Sequence, residues 1–187
     1  MPAKPKFLKG HFLIDSGDLA GSFFGRTALL LCEHDANGAF GLILNRATGQ
    51  RVGDVMVGAL PDRLREAPLF VGGPVQPSAL SFLHADACLP EANVLANLNL
   101  GHALDELVAI GEAASPTTRI KVFAGYAGWS PGQLENELKR KAWLTWPASI
   151  ELVFDTPPDQ LWPAILRLKG GWRNALLSTL PEDPSRN

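Results

Sequence analysis

Cysteine is scarce in this sequence, which holds only Cys32 and Cys88 among 187 residues. Two thiols make no disulfide framework, which excludes the class of small secreted domains held together by cross-links and favours a reducing compartment. An excess of either charge is also missing. Lys and Arg number 17 against 19 for Asp and Glu, a formal net charge of −2, so there is no electrostatic case for nucleic acid, which favours a basic face. No apolar run approaches the ~20 residues needed to span a bilayer. The basic start, Met1 to Gly10, lacks the apolar stretch of a secretory signal. A cytoplasmic protein with no membrane partner is expected. Repeats and linkers are absent too, so residues 1–187 are expected to form one domain, ordered over about 8–172, with flexible ends at 1–7 and 180–187.

What is present is core material. Hydrophobic residues make up 46% and charged residues 19%, the balance of a globular chain and not a disordered one. His11–Asp15 reads as a first strand, and Asp18–Gly25 as a loop whose Phe23 and Phe24 fold back onto the core. After Arg26, the run Thr27–Glu33 is apolar enough for a strand covered on both faces. Asn37-Gly38 separates it from Ala39–Asn45, which predicts a central hairpin with a type I′ turn. Arg46 and a polar segment leave it.

Further on, Val52–Leu60 reads as a short helix with Val52, Val55 and Met56 on one face, closed by Pro61. Leu69–Val71 is a short strand ended by Gly72-Gly73-Pro74, and Ser78–His84 is expected to pair with it. Val94–Leu100 alternates partly, as a strand would. Leu104, Leu107, Val108 and Gly111 define a helix over His102–Ala113. Ile120–Ala124 is a strand leading into Gly125-Tyr126-Ala127-Gly128-Trp129, which reads as a strand-to-helix corner wedged by its two aromatics.

Ser130 and Pro131 suit the N-cap and first position of the next helix, and Gln133 completes a capping box. Leu134, Leu138 and Ala142 form its inward stripe, with Glu135–Lys139 and Glu137–Lys141 as surface pairs. Ser149–Phe154 alternates as a strand. Thr156-Pro157 starts a last helix, with Leu161, Ile165 and Leu168 inward, that ends near Gly170-Gly171.

Candidate chemistry is sparse. Gly128-Trp129-Ser130-Pro131-Gly132 matches the nucleophile-elbow pattern, but that elbow needs the backbone N–H after the serine, and Pro131 has none. All four histidines also precede Ser130, the reverse of the elbow's triad order. Cys32, His34, His84 and Cys88 lack zinc-ligand spacing, so neither a metal site nor a cofactor is expected. Gly72-Gly73-Pro74 has neither the full glycine pattern nor the lysine of a phosphate loop. Lys139-Arg140-Lys141 is expected at a helix C-terminus from the macrodipole alone.

Several blocks, in order, carry a resemblance. They are Gly21–Thr27, Glu33-His34, Asn37–Arg46, Gly72–Val75, Leu83-His84, Gly125–Trp129, Gly132–Glu135, Ala142–Leu144 and Phe154-Asp155. Over about residues 8–170 the chain resembles the AlgH/YqgE family of bacterial proteins, some of whose members are labelled transcriptional regulators. The resemblance implies one α/β (α+β) domain with a mixed, mostly antiparallel sheet bent into a partial barrel and flanked by helices. It brings no catalytic residues. Gln76–Phe82 departs from the Arg-Gly-Phe-Val type of sequence usual before Leu-His.

The reading that follows is a non-enzymatic binding or regulatory module for a small molecule or protein partner. Its expected surface comprises Arg26, Glu33, His34, Asn45, Arg46, Gly72, Gly73, His84, Tyr126 and Trp129. The rivals are an enzyme with a pocket around Glu33, His34 and His84, and a regulator that contacts DNA directly.

Overall fold

The computed structural model describes residues 7–86 and 92–179. The chain enters its sheet at β1 (His11–Asp15), and the apolar run after Arg26 forms β2 (Ala28–Asp35). Leu30 and Cys32 of β2 enter one hydrophobic cluster and Leu29 and Leu31 another, so this strand is covered on both faces as its composition requires. The hairpin to β3 (Gly38–Ile43) is present, but the turn residues are Ala36 and Asn37 and neither has a positive φ. The turn is therefore not type I′. Asp35 Oδ1 accepts the Asn37 N–H at 2.7 Å, and that local bond makes the bend instead. Gly38 serves a different purpose: a Cβ there would lie 2.2 Å from the Trp129 carbonyl oxygen.

The polar exit from β3 becomes an edge strand, β4 (Ala47–Arg51), followed by two single-turn helices, α1 (Val52–Val55) and α2 (Asp62–Arg65), then β5 (Pro68–Val71) and β6 (Val75–Ala85). The helix expected through Leu60 stops at Val55. Within the segment expected to continue to Leu100, regular pairing covers only β7 (Leu98–Gly101), because Asn97 takes φ 63°. Next come α3 (Leu104–Glu112) and β8 (Arg119–Trp129).

β8 pairs with three strands: parallel to β5, and antiparallel to β6 and β3. β6 thus pairs with β8 and β7 and not with β5; four-residue β5 spends its edges on β4 and β8. Nor is Gly125–Trp129 a corner. It continues the strand, and Gly125, at φ 72°, inserts a bulge. Before the bulge Phe123 faces the first cluster; after it Tyr126 does, while Ala127 and Trp129 face the second.

The remaining elements are α4 (Gln133–Lys139), β9 (Trp143–Pro147), α5 (Ile150–Phe154), α6 (Pro158–Lys169) and α7 (Trp172–Thr179). Ser130 does not cap α4. Gly132, at φ 76°, occupies the N-cap position, and only the return half of the expected box forms, Ser130 N–H donating to Gln133 Oε1 at 3.1 Å. α4 ends early because Lys141 takes φ 62°, and Trp143–Pro147 then pairs along β1. Ser149–Phe154 is helical despite its alternation, since Ser149 Oγ accepts the Leu152 N–H and caps it. At α6, Pro157 takes the N-cap position expected of Thr156, and Leu168 is exposed. α7 follows the Gly170-Gly171 break unanticipated.

Mixed and mostly antiparallel, the sheet runs β4-β5-β8-β3-β2-β1-β9 with β6 and β7 branching from β8, and does not close into a barrel. α5 and α6 pack on one cluster, α4 on the second, and α1 to α3 on the third. This is a single mixed α/β domain. Cys88 lies outside the described residues, as do residues 1–6 and 180–187.

A lysine ammonium is among its buried polar groups. The Lys121 ammonium donates to the Val153 carbonyl at 2.9 Å and lies 4.7 Å from the centre of the Phe70 ring. Burial lowers its pKa from 10.5 to about 8. Between those values the unfolded chain holds the proton and the folded chain does not, so stability rises with pH across the window. The gain expected is on the order of 3 kcal/mol. Urea unfolding midpoints should rise over pH 8 to 10.5 in the native protein, relative to Lys121→Met. The variant should be the more stable of the two at neutral pH, since it removes a buried charge.

Candidate functional site

The bulge in β8 explains the nearby glycines. A Cβ at Gly72 would lie 2.2 Å from the Gly125 oxygen, and one at Gly73 2.1 Å from the Tyr126 carbonyl carbon. The exit of β5 therefore lies flat against the bulge. Gly72 N–H already donates to the Ala124 carbonyl at 2.9 Å, so these two residues make a crossing of backbones and not an anion cradle.

Beyond the bulge, Trp129 and Trp143 converge on Glu137 of α4. Their indole N–H groups donate to the same carboxylate oxygen at 2.9 and 2.8 Å, and Gln133 Nε2 donates to the other at 3.1 Å. The rings meet edge to face at 6.4 Å, and Phe24 packs edge-on against Trp143 at 5.7 Å. Glu137 thus turns inward, away from the Lys141 pairing that its helical spacing suggests. Hydrogen bonds to an ionised acceptor are among the stronger ones, and these fix α4 on the sheet.

His34 makes a second tie. Its side chain is 1% exposed. Nδ1 accepts the Leu8 N–H at 2.9 Å, which requires the proton on Nε2, and Nε2 donates to Glu135 Oε1 at 3.2 Å. Phe7 packs edge-on against the ring at 5.3 Å. The Glu135 carboxyl is held below the usual carboxylate range by its own backbone hydrogen bond first, then by the bond from His34 and by the charge of Lys139. The histidine therefore joins the N-terminal segment to α4 across β2.

Beside this pair opens a cleft of about 480 Å³, lined by His11, His34, Glu135, Lys141, Trp143 and Lys169 among others. Lys169 reaches from the end of α6 to donate to the Thr145 carbonyl at 3.1 Å. Of the ten residues expected to form a surface, only His34 lines this cleft. Glu33 and Trp129 border a smaller one of about 240 Å³ at the hairpin. Arg26 and Asn45 border another of about 260 Å³ with Asp159 and Trp162. There, Asn45 clamps the ends of the hairpin, accepting from Ala28 N–H and donating to the Arg26 carbonyl, both at 2.9 Å. The Arg26 guanidinium lies 4.4 Å from the centre of the Trp162 ring.

Arg46 donates to the Gly25 carbonyl at 3.2 Å and covers Phe23. Tyr126 stacks on Phe40 at 4.9 Å. His84 is buried in β6 beside Phe82, and burial lowers its pKa against the opposing charges of Glu106 and Asp86. Cys32 is fully buried, and burial pushes its thiol pKa up, the state of an inert core thiol.

Sequence reasoning missed Glu135, Lys141 and Lys169 as cleft residues. Glu135 stood within one of the blocks that carry the resemblance, but its partner His34 is 101 residues away, and helical spacing offered Lys139 instead.

The architecture and the clefts define a class: a mixed α/β domain on an open sheet, with helices on both faces and clefts of small-ligand size, that beside His34 and Glu135 at about 480 Å³ and another between β4, β5 and β6 at about 450 Å³. An AlgH-like family profile matches residues 12–174, and the chain belongs to that family. A UPF0301 protein from Methylococcus capsulatus is 35% identical over 176 residues, covering 91% of this chain and 93% of the relative. One from Stutzerimonas stutzeri is 39% identical over 162 residues, covering 83% and 85%. The solution structure of the AlgH protein from Pseudomonas aeruginosa is similar at a TM-score of 0.72 and 34% identity, over 98% of this chain and 99% of that one. A crystal structure from Corynebacterium diphtheriae, at a TM-score of 0.75 and 22% identity over 96% and 95% of the two chains, shares the fold.

Glu137→Ala leaves two buried indole N–H groups without an acceptor. It is expected to cost about 2–4 kcal/mol in urea unfolding and to change the near-ultraviolet circular dichroism of the tryptophans. Glu137→Gln keeps an oxygen in place and should cost about 1 kcal/mol.

Proposed function

We propose that the protein is a non-enzymatic binding module of regulatory type, and that its ligand occupies the cleft between α4 and β9. The observation that supports this reading is the state of His34. One ring nitrogen accepts from Leu8 and the other donates to Glu135, so neither is left to take a proton from a substrate, as a general base must. His84 is enclosed by β6 and its neighbours, and Glu33 lies on the exposed hairpin rim. The catalytic rival therefore lacks an assembled acid–base set.

The cleft is of ligand size, within the roughly 300–1,000 Å³ usual for small-molecule sites. It offers charges of both signs, an ionised Glu135 with Lys141 and Lys169. Such a pattern suits a small ligand that carries an anionic group and a cationic or hydrogen-bond-donating group together. Direct DNA contact is not part of the proposal. The formal charge is −2, and the Lys139-Arg140-Lys141 run closes a seven-residue helix, where bases are expected from the helix dipole.

The test is a thermal-shift screen of amino acids and short peptides at millimolar concentration, with calorimetry of each hit. A ligand that raises the melting temperature should bind about tenfold more weakly to Lys141→Ala/Lys169→Ala, while the unliganded melting temperature falls only slightly, through loss of the exposed Lys169–Thr145 hydrogen bond. Binding indifferent to those substitutions would remove the cleft from consideration. Turnover of any screened compound that His34→Ala abolishes at unchanged stability would overturn the module reading.

A further inference from the structure

α7 is amphipathic with its polarity arranged unusually. Leu177 packs against the main core cluster and against Gly17, which fixes the helix to the domain. On the opposite side Trp172 and Leu176, one turn apart, are 82% and 55% exposed, and Leu168 at the end of α6 is 55% exposed. Ala175 and Thr179 complete that outer face, and both are exposed. Cations flank the patch: Arg167 and Lys169 in the last turn of α6, and Arg173 in α7. Arg173 pairs with Asp18 at 3.2 Å, and both partners of that pair are more than half exposed. A tryptophan left this open to water is uncommon, since its ring favours burial or the boundary of an apolar phase.

We propose that this face docks on an anionic membrane surface, with Trp172, Leu176 and Leu168 inserted at the headgroup boundary and Arg167, Lys169 and Arg173 among the phosphates. The pattern is that of an interfacial amphipathic segment, apolar residues with Trp on one side and Lys and Arg beside them. Among the described residues no helix is long and apolar enough to cross a membrane, so the contact is peripheral. Two features favour lipid over other occupants. Trp172 and Leu176 line none of the clefts described above and stand out into solvent. A second copy meeting it through a two-fold axis would bring the same three cations face to face, because such an interface pairs identical patches. The inference shares Lys169 with the ligand cleft and otherwise rests on residues that do not line it.

Sedimentation with large unilamellar vesicles tests it. The full chain should pellet with phosphatidylcholine vesicles that contain phosphatidylglycerol and remain in solution with phosphatidylcholine alone, and binding should fall as salt rises. Trp172→Ala should weaken partitioning at least tenfold and Arg167→Ala about fivefold, the contribution of one cation near such a surface. Circular dichroism and melting temperature should not change, since both side chains are exposed. Three results would overturn the proposal: no pelleting with anionic vesicles at low salt, pelleting unaffected by Trp172→Ala, or a dimer in sedimentation equilibrium that Trp172→Ala dissolves.

Discussion

The geometry of β8 depends on one residue held in a left-handed conformation. Gly125, at φ 72°, shifts the alternation of the strand by one position. That shift lets a single eleven-residue strand present Phe123 and Tyr126 to one hydrophobic cluster and Ala127 and Trp129 to another. It also brings the backbone of β5 and its Gly72-Gly73 exit so close that no side chain fits at the crossing. A non-glycine residue at position 125 would face strain from its φ and a Cβ only 2.6 Å from the Gly73 oxygen. Three strands take their register from β8, so a disturbance there would reach most of the sheet.

Two carboxylates extend that order to the surface. Glu137 gathers two indoles and Glu135 gathers a buried histidine, so α4 is held by polar contacts at both its front and its flank, while Leu134 supplies the apolar contact between. Buried donors of this kind are costly when left unpaired and well determined when paired. The arrangement accounts for a short helix that has no side-chain N-cap. It also fixes one wall of the cleft without drawing on flexible loops, the condition under which charged side chains can recognise a ligand at low ordering cost.

Much of the fold was legible in the residues. The apolar run of β2 signalled a strand buried on both faces, and Leu104, Leu107 and Gly111 marked α3. Gly170 marked the end of α6, and the ordered blocks from Gly21 to Asp155 marked the family and hence the mixed α/β sheet. The misreadings share a cause. Ser149–Phe154 alternates as a strand would, yet a serine cap and the space beneath β8 made it helical. Asn37-Gly38 looked like a type I′ turn, whereas the glycine was needed for the approach of Trp129. Ser130 looked like a cap, and Gly132 took the position. In each case a local signal was correct about the chemistry available and wrong about which neighbour used it.

The candidate site divides along the same line. By itself the sequence determined which residue types were on hand: one tyrosine, four histidines, glycines beside aromatics, and charges of the two signs in near balance. It also determined the positions of most strands, because alternation and turn chemistry act over a few residues. Only the tertiary structure decided that His34 meets Glu135, that Trp129 and Trp143 share Glu137, and that Arg26, Arg46 and His84 belong to separate surroundings. The pairs that matter are separated by up to 101 residues, and no local periodicity encodes such a distance. They are set by strand register, which shifts both in β8 at Gly125 and in β2 between Leu31 and Glu33.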